Sequence, residues 1–308
     1  MRVAVVDIGS NSIKLLVASR GPDGRPVEVL SRALEVRISE GIGSDRPLLG
    51  TEAMEKGIAA IAGLVSEARG LGASAVIAVA TSAVRDASNG PEFRDRARAA
   101  TGVEIRILTG AEEAALIGRG LTTDPALEDL RDFHVYDLGG GSLECLSFRG
   151  RAVERAVSLP LGCVRLTEMF VPRPSAPFDE SSALKIGSHV SDALAHSGFA
   201  LPVPPGVAVV GTGGTLTTVR AVEAARRGVP LDQADALIAV PRLREILAQV
   251  GPMDLAARRQ VPGLHAARAD VFPAALATLL ALAETGGIQA FQHSHRNLRW
   301  GLAAEYLG

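Results

Sequence analysis

Two stretches of the chain share one pattern of apolar and polar positions. Val3-Ala4-Val5-Val6 leads through Asp7-Ile8 into the small polar turn Gly9-Ser10-Asn11-Ser12, and an apolar run resumes at Ile13. Phe133-His134-Val135-Tyr136 leads through Asp137-Leu138 into Gly139-Gly140-Gly141-Ser142, and an apolar run resumes at Leu143. The offset is constant, 137 − 7 = 130. Short apolar runs joined by Gly, Ser and Asn read as β-hairpins, each with a carboxylate at the end of its first strand. The repetition predicts a duplicated domain, with its two Asp-and-small-residue turns facing each other across a cleft.

Around the first copy the pattern predicts strands at 2–8, 12–19 and 26–37, then a helix from Thr51 to about Arg69. That helix carries Met54, Ile58, Ile61, Leu64 and Val65 on one face. A strand at 75–79, a charged helix at 90–100, a strand at 103–108 and a helix from Thr109 to Leu121 follow. Asp124-Pro125 marks a boundary. Beyond it strands at 133–138, 142–148 and 151–158 repeat the opening, with helices near 162–170 and 178–196. Leu201-Pro202-Val203-Pro204-Pro205 reads as a surface connector. A strand at 207–210, a helix to Arg227, helical segments at 241–249, 253–260 and 270–285, a strand at 288–293 and a helix at 297–307 complete the chain. The expected division is a first domain of 1–122 with 296–308 and a second of 123–295.

Composition narrows the picture little. Of 308 residues, 47% are hydrophobic and 21% charged, which suits a soluble chain with a sizeable core. No apolar run reaches membrane-span length and Met1 runs straight into a strand, so a cytoplasmic protein without membrane attachment is expected. The net charge of −2 makes any attraction for phosphate local. Aromatics at 4% and no basic stripe argue against nucleic acid. Cys145 and Cys163 read as buried free thiols, and His293 and His295 as structural, lacking a third ligand at metal spacing.

The chemistry lies in the turns. Gly9, Gly139, Gly140 and Gly141 let the backbone approach phosphate oxygens, while Ser10, Asn11, Ser12 and Ser142 add side-chain donors. Asp7 and Asp137 end buried strands and need a cation, for which Mg²⁺ is the natural choice, Mn²⁺ a second. Glu144 lies on the outgoing strand, an exposed position as readily as a cleft one. Gly211-Thr212-Gly213-Gly214-Thr215 opens a helix after a strand and presents free amides to an anion. Arg85 suits a bidentate clamp on phosphate or a plain surface position. Glu112-Glu113 sits where a helix dipole favours acids whatever their function.

Together these pieces resemble the exopolyphosphatase / guanosine pentaphosphate phosphatase family, within the actin, sugar-kinase and chaperone-ATPase superfamily. The matching segments are Asp7–Ser12, Val36-Arg37 with Gly41, Ala80–Asn89, Thr109–Ala114, Asp137–Glu144, Gly211–Thr215, Arg268-Ala269-Asp270, and Ser294–Gly301. The resemblance implies an α/β fold of two ribonuclease-H-like, actin-like ATPase domains with an interdomain cleft, the last helix returning to the first domain. It implies Glu112, Asp137 and Glu144 as catalytic residues. Phosphate would be held by Gly9, Ser10, Asn11, Ser12, Arg37, Arg85, Gly139, Gly140, Gly141, Ser142, Gly213, Gly214 and Thr215. Asp7, Asp137 and Glu144 would hold the metal. The substrate would be polyphosphate or guanosine pentaphosphate, cleaved by in-line attack of water on the terminal phosphate. Asn297 stands where Gly is common in the family's last motif. The extra helical domain of longer relatives is missing before Gly308, so a short two-domain form is expected, with any long channel built by a homodimer. The rival functions are a nucleotide-dependent kinase or ATPase of the superfamily and a non-catalytic sensor of polyphosphate or guanosine tetra- and pentaphosphate.

Overall fold

Val3, Ala4, Val5, Val6 and Ile8 are all fully shielded, so the first strand can only be interior. It forms β1 (Arg2–Ile8), hydrogen-bonded on one side to the antiparallel β2 (Ile13–Arg20). The computed structural model describes residues 1–308. β3 (Pro26–Leu34) pairs with β2 across a register shift at Val17/Ala18 and presents a mostly exposed edge. The strand predicted to reach residue 37 stops at Leu34. Arg37 takes a left-handed φ of 48° and donates its N–H to Asn11 O at 2.9 Å, which pulls this segment out of the sheet and onto the first turn.

α1 (Thr51–Gly70) follows, burying Met54, Ile61, Leu64, Val65 and Ala68 along one stripe. Then come β4 (Ala75–Ala80), α2 (Ser82–Asp86), α3 (Gly90–Thr101), β5 (Ile105–Ile107) and α4 (Gly110–Thr122). β4 runs parallel to β1 and β5 parallel to β4, giving the sheet order β3-β2-β1-β4-β5. This is the ribonuclease-H-like arrangement.

The second half repeats it. β6 (Phe133–Leu138), β7 (Leu143–Arg149) and β8 (Ala152–Leu159) form the antiparallel opening. α5 (Cys163–Phe170) and α6 (Glu180–His196) precede β9 (Ala208–Thr212), which runs parallel to β6. α7 (Gly214–Arg227), β10 (Leu237–Ala239), α8 (Val240–Val250), α9 (Leu255–Arg258), α10 (Phe272–Gly286) and β11 (Ala290–His293) complete it. The order β8-β7-β6-β9-β11 matches the first sheet, and β10 adds one antiparallel edge strand. α11 (Leu298–Leu307) ends the chain.

The chain divides into one unit of Met1–Asp129 with Arg296–Gly308 and another of Leu130–His295. The first unit runs past the expected limit at 122 because Leu127 is buried and Arg25 grips Glu128 at 3.1 Å. In this unit α11 lies against α4 with their backbones nearly touching. A Cβ on Gly120 would stand 2.0 Å from Asn297 O, and one on Gly301 2.0 Å from Leu116 O. Asn297 itself has a φ of −144°, outside the left-handed region that favours glycine. The glycine requirement of this crossing therefore falls on 120 and 301.

Candidate functional site

Both hairpin turns close in the same way. Gly9 N–H donates to Ser12 O at 3.1 Å, and Gly139 N–H to Ser142 O at 3.0 Å. The carbonyls of each turn are then tied to a neighbouring segment. Ser39 and Arg37 donate to the carbonyls of Ser10 and Asn11 in the first unit. Cys163 donates to Gly139 O, and Val164 and Arg165 to Gly140 O, in the second. Arg165 Nε adds a bond to Gly141 O at 3.0 Å. Gly162 makes room for this docking, since a Cβ there would lie 2.3 Å from Gly140. No protein acceptor takes the amides of Ser10, Asn11 and Ser12, or those of Gly140, Gly141 and Ser142. Each turn is thus a nest of N–H groups with its oxygens facing away, suited to an anion.

Side chains brace the first nest. Ser10 Oγ meets Ser82 Oγ at 2.9 Å, which links the turn to the start of α2. Asn11 donates to Glu35 and accepts from Arg37 Nε at 3.1 Å. Glu35 and Ser82 were not anticipated from the sequence; they are recognisable only once the turn is folded.

The two carboxylates meet opposite surroundings. Asp7 stands directly across the ladder from Lys14. Burial holds its carboxyl above the usual carboxylate range, against the pull of Lys14 and Arg299. Asp137 occupies the matching place in the second hairpin, yet its cross-strand partner is Glu144. Partners directly opposite in an antiparallel pair share one face of the sheet. Both acids are buried, 7% and 2% exposed, and two adjacent carboxylates in such a place require a cation or a proton. Ser158 Oγ donates to Glu144 Oε1 at 2.7 Å.

Next to Asp137 on the parallel ladder stands Thr212. Its hydroxyl and that of Thr215 are fully buried without a hydrogen-bond partner. Gly213, at φ +96°, passes so close that a Cβ would lie 2.6 Å from Asp137 Oδ1. Gly214 begins α7 beneath the guanidinium of Arg268, which a Cβ would meet at 2.5 Å. The amides of Gly214 and Thr215, in the first turn of α7, have no protein acceptor. This oxygen-rich set of Asp137, Glu144 and Thr212 fits a hard divalent cation such as Mg²⁺. No three side chains of His, Cys, Asp or Glu are gathered into a complete protein cage. An ion here would complete its shell with water and substrate oxygens.

Glu112 and Glu113 separate sharply. Glu112 caps α4: its Oε2 accepts from Thr109 N–H and Thr109 Oγ1, both at 2.8 Å, while Thr109 Oγ1 accepts from Glu112 N–H. It is exposed, and the Thr109 bonds hold its carboxyl below the usual range. Glu113 is buried and accepts from Arg85 Nη1 at 2.8 Å. The same Arg85 nitrogen donates to Leu108 O at 3.0 Å, and Arg85 Nε lies 3.4 Å from Asp86. His293 and His295 hold no metal position; both accept from Arg220.

Known proteins share this architecture. The chain is similar to the crystallised Ppx/GppA family member of Aquifex aeolicus, at 25% identity over 100% of this chain and 97% of that one, with a TM-score of 0.79. It is similar in fold to an exopolyphosphatase from Cytophaga hutchinsonii, at 22% identity over 100% of this chain and 98% of that one, with a TM-score of 0.86. A crystallised exopolyphosphatase-like protein aligns at 25% identity over 99% of this chain and 97% of that one, with a TM-score of 0.87. The sequence model of the Ppx/GppA phosphatase family matches residues 16–308, and the chain belongs to that family.

Proposed function

We propose that this protein is a phosphoanhydride hydrolase that removes the terminal phosphate of inorganic polyphosphate or guanosine pentaphosphate. One observation carries the reading: in each unit a tight turn has its carbonyls tied back and its amides unspent, beside a buried aspartate. Phosphoryl transfer asks chiefly for positioning and charge stabilisation, and such donors supply both. Family membership supports the same chemistry.

In this reading the amides of residues 10–12 in the first unit bind phosphate oxygens, as do those of residues 140–142 in the second. Asp137 and Glu144 hold Mg²⁺ or Mn²⁺, and Asp7, which faces Lys14 across the ladder, serves the metal less directly. The bound ion supplies charge neutralisation on the phosphate oxygens. Gly213, Gly214 and Thr215 offer the start of α7 to a further phosphate, with Thr212 and Arg268 at its side. Arg85, fixed by Glu113, and Arg37, fixed by Asn11, hold the substrate chain. The water-orienting carboxylate is Glu113. Glu112 spends its carboxylate on the capping box, whereas Glu113 is the shielded acid joined to a phosphate-binding arginine.

A phosphate-release panel tests this: short and long polyphosphate, guanosine pentaphosphate, ATP and ADP, each with Mg²⁺, Mn²⁺ or chelator. Release from polyphosphate or guanosine pentaphosphate that stops on chelation is the expected result. Tight binding without release would mark a sensor, and phosphate transfer to ADP a kinase; either overturns the proposal.

A further inference from the structure

Arg220 is an arginine with every donor spent inside the second unit. It projects from α7, is only 6% exposed and has no carboxylate bonded to it. Nε donates to Asp235 O at 3.1 Å, and Nη2 to Leu231 O and Ala234 O at 3.3 and 2.6 Å. Nη1 donates to His293 Nδ1 at 3.1 Å and to His295 Nε2 at 3.0 Å.

A guanidinium can only donate. Both imidazole nitrogens that it meets are therefore unprotonated acceptors, which fixes the tautomer of each neutral ring. His293 then carries its proton on Nε2, and that nitrogen lies 3.3 Å from Thr217 Oγ1. The Thr217 hydroxyl, receiving there, sends its own hydrogen to Gly213 O at 3.0 Å. Four groups thus form one directed chain: Arg220 to His293 to Thr217 to the Gly213 carbonyl. Successive bonds of one direction polarise each other in a buried setting.

The last acceptor decides what the chain does. Gly213 caps α7, and its carbonyl also accepts the Thr217 amide at 3.3 Å. The planar trans peptide points the Gly214 N–H opposite to the Gly213 carbonyl. Holding that carbonyl toward the helix interior holds the Gly214 N–H outward, off the start of α7. Gly213 has a φ of +96°, so its own torsions permit other orientations and do not fix the plane. We infer that Arg220, His293 and Thr217 are positioning residues that aim the Gly214 amide at a phosphate group of the substrate. The inference rests on the assignment of that turn to phosphate under Proposed function.

The test is a calorimetric titration with methylene-bridged tripolyphosphate, which resists cleavage, in the presence of Mg²⁺. The wild-type chain is measured first, then Thr217→Val and Thr217→Ser. Val keeps the branched shape and removes the hydroxyl, so the Kd should rise about fivefold, the worth of one ordinary hydrogen bond. Ser should restore it. In phosphate release Thr217→Val should raise KM by a similar factor with kcat near wild type, a split that general loosening would not produce. Wild-type affinity in Thr217→Val, or equal weakening in both variants, overturns the relay and leaves the functional reading standing. Failure of the wild-type chain to bind removes the phosphate assignment and the relay together, and shows in the first arm. Nitrogen NMR of His293 in the wild-type chain gives a second measurement, valid even if Thr217→Val does not fold. A protonated Nε2 and bare Nδ1 are expected; the opposite tautomer overturns the relay.

Discussion

An aspartate facing a lysine and an aspartate facing a glutamate place different demands on the fold, although both end the same strand of the same hairpin. Lys14 gives Asp7 an internal counter-charge, whereas Glu144 doubles the negative charge at Asp137. Glu144→Gln should therefore raise the melting temperature measured without divalent cation, and largely abolish the further rise expected of the wild-type chain on adding Mg²⁺. Equal Mg²⁺ stabilisation in both would remove Glu144 from the metal site. The adjacent acids on α4 make a second contrast. Glu113→Gln removes the carboxylate bonded to Arg85 Nη1, and phosphate release should fall about a hundredfold with substrate still bound. Glu112→Gln keeps a residue that serves a capping box equally well, so turnover should stay within about twofold of wild type. Reversed results in a release assay would return the role to Glu112. The sequence exposes both glutamates at a helix start but not the turn of the helix that buries one of them. The pairing of Asp137 with Glu144 was legible only as seven residues on two strands; the register makes it a contact.

Elements whose pattern is local were legible, and those created by packing were not. The hairpins, α1 and α4 announce themselves through apolar runs, a helical stripe and a Thr-x-x-Glu start. α2 and β10 span five and three residues, too short for a periodic signal, and exist because a neighbour gives them partners. The α4–α11 crossing is likewise invisible in sequence, since Gly120 and Gly301 are single glycines in otherwise ordinary helices. At that crossing the helices approach until a methyl would overlap a carbonyl oxygen. Gly120→Ala should cost about 2–3 kcal/mol in denaturant unfolding. It should also lower activity, because α4 carries Glu113 and α11 carries Arg299, whose charge acts on Asp7. Gly63→Ala, in a helix position where a Cβ meets nothing within 4 Å, is the control and should stabilise slightly. Similar midpoints for the two variants would show that the helices separate freely.

At the scale of the molecule, one buried group in each unit is expected to couple to acid with a sign opposite to the other's. In the second unit, burial with His295 and Arg220 nearby drives the His293 value from 6.5 down to about 2. The folded unit keeps this ring neutral, while the unfolded chain protonates it below pH 6.5. Its contribution is fully present above that pH and is lost as the pH falls toward 2, at about 1.4 kcal/mol per pH unit. Asp7 in the first unit does the reverse. Its value is raised above the ordinary 3.8, so the folded unit takes up the proton before the unfolded chain does, and acid relieves the strain of burying the charge. Hydrogen exchange read segment by segment can follow each unit separately. From pH 7 to pH 5 the protection of β6, β9 and β11 should fall relative to that of β1 and β4. His293→Gln should flatten the first trend, since an amide does not titrate, and Asp7→Asn should remove the acid benefit to β1 while raising its protection at pH 7. Parallel loss of protection in both units, unchanged by either substitution, would mean that neither buried group governs the acid response. The expected divergence follows from burial itself: a buried carboxylate weakens its unit at neutral pH, where a buried histidine that is neutral in both states costs its own unit nothing.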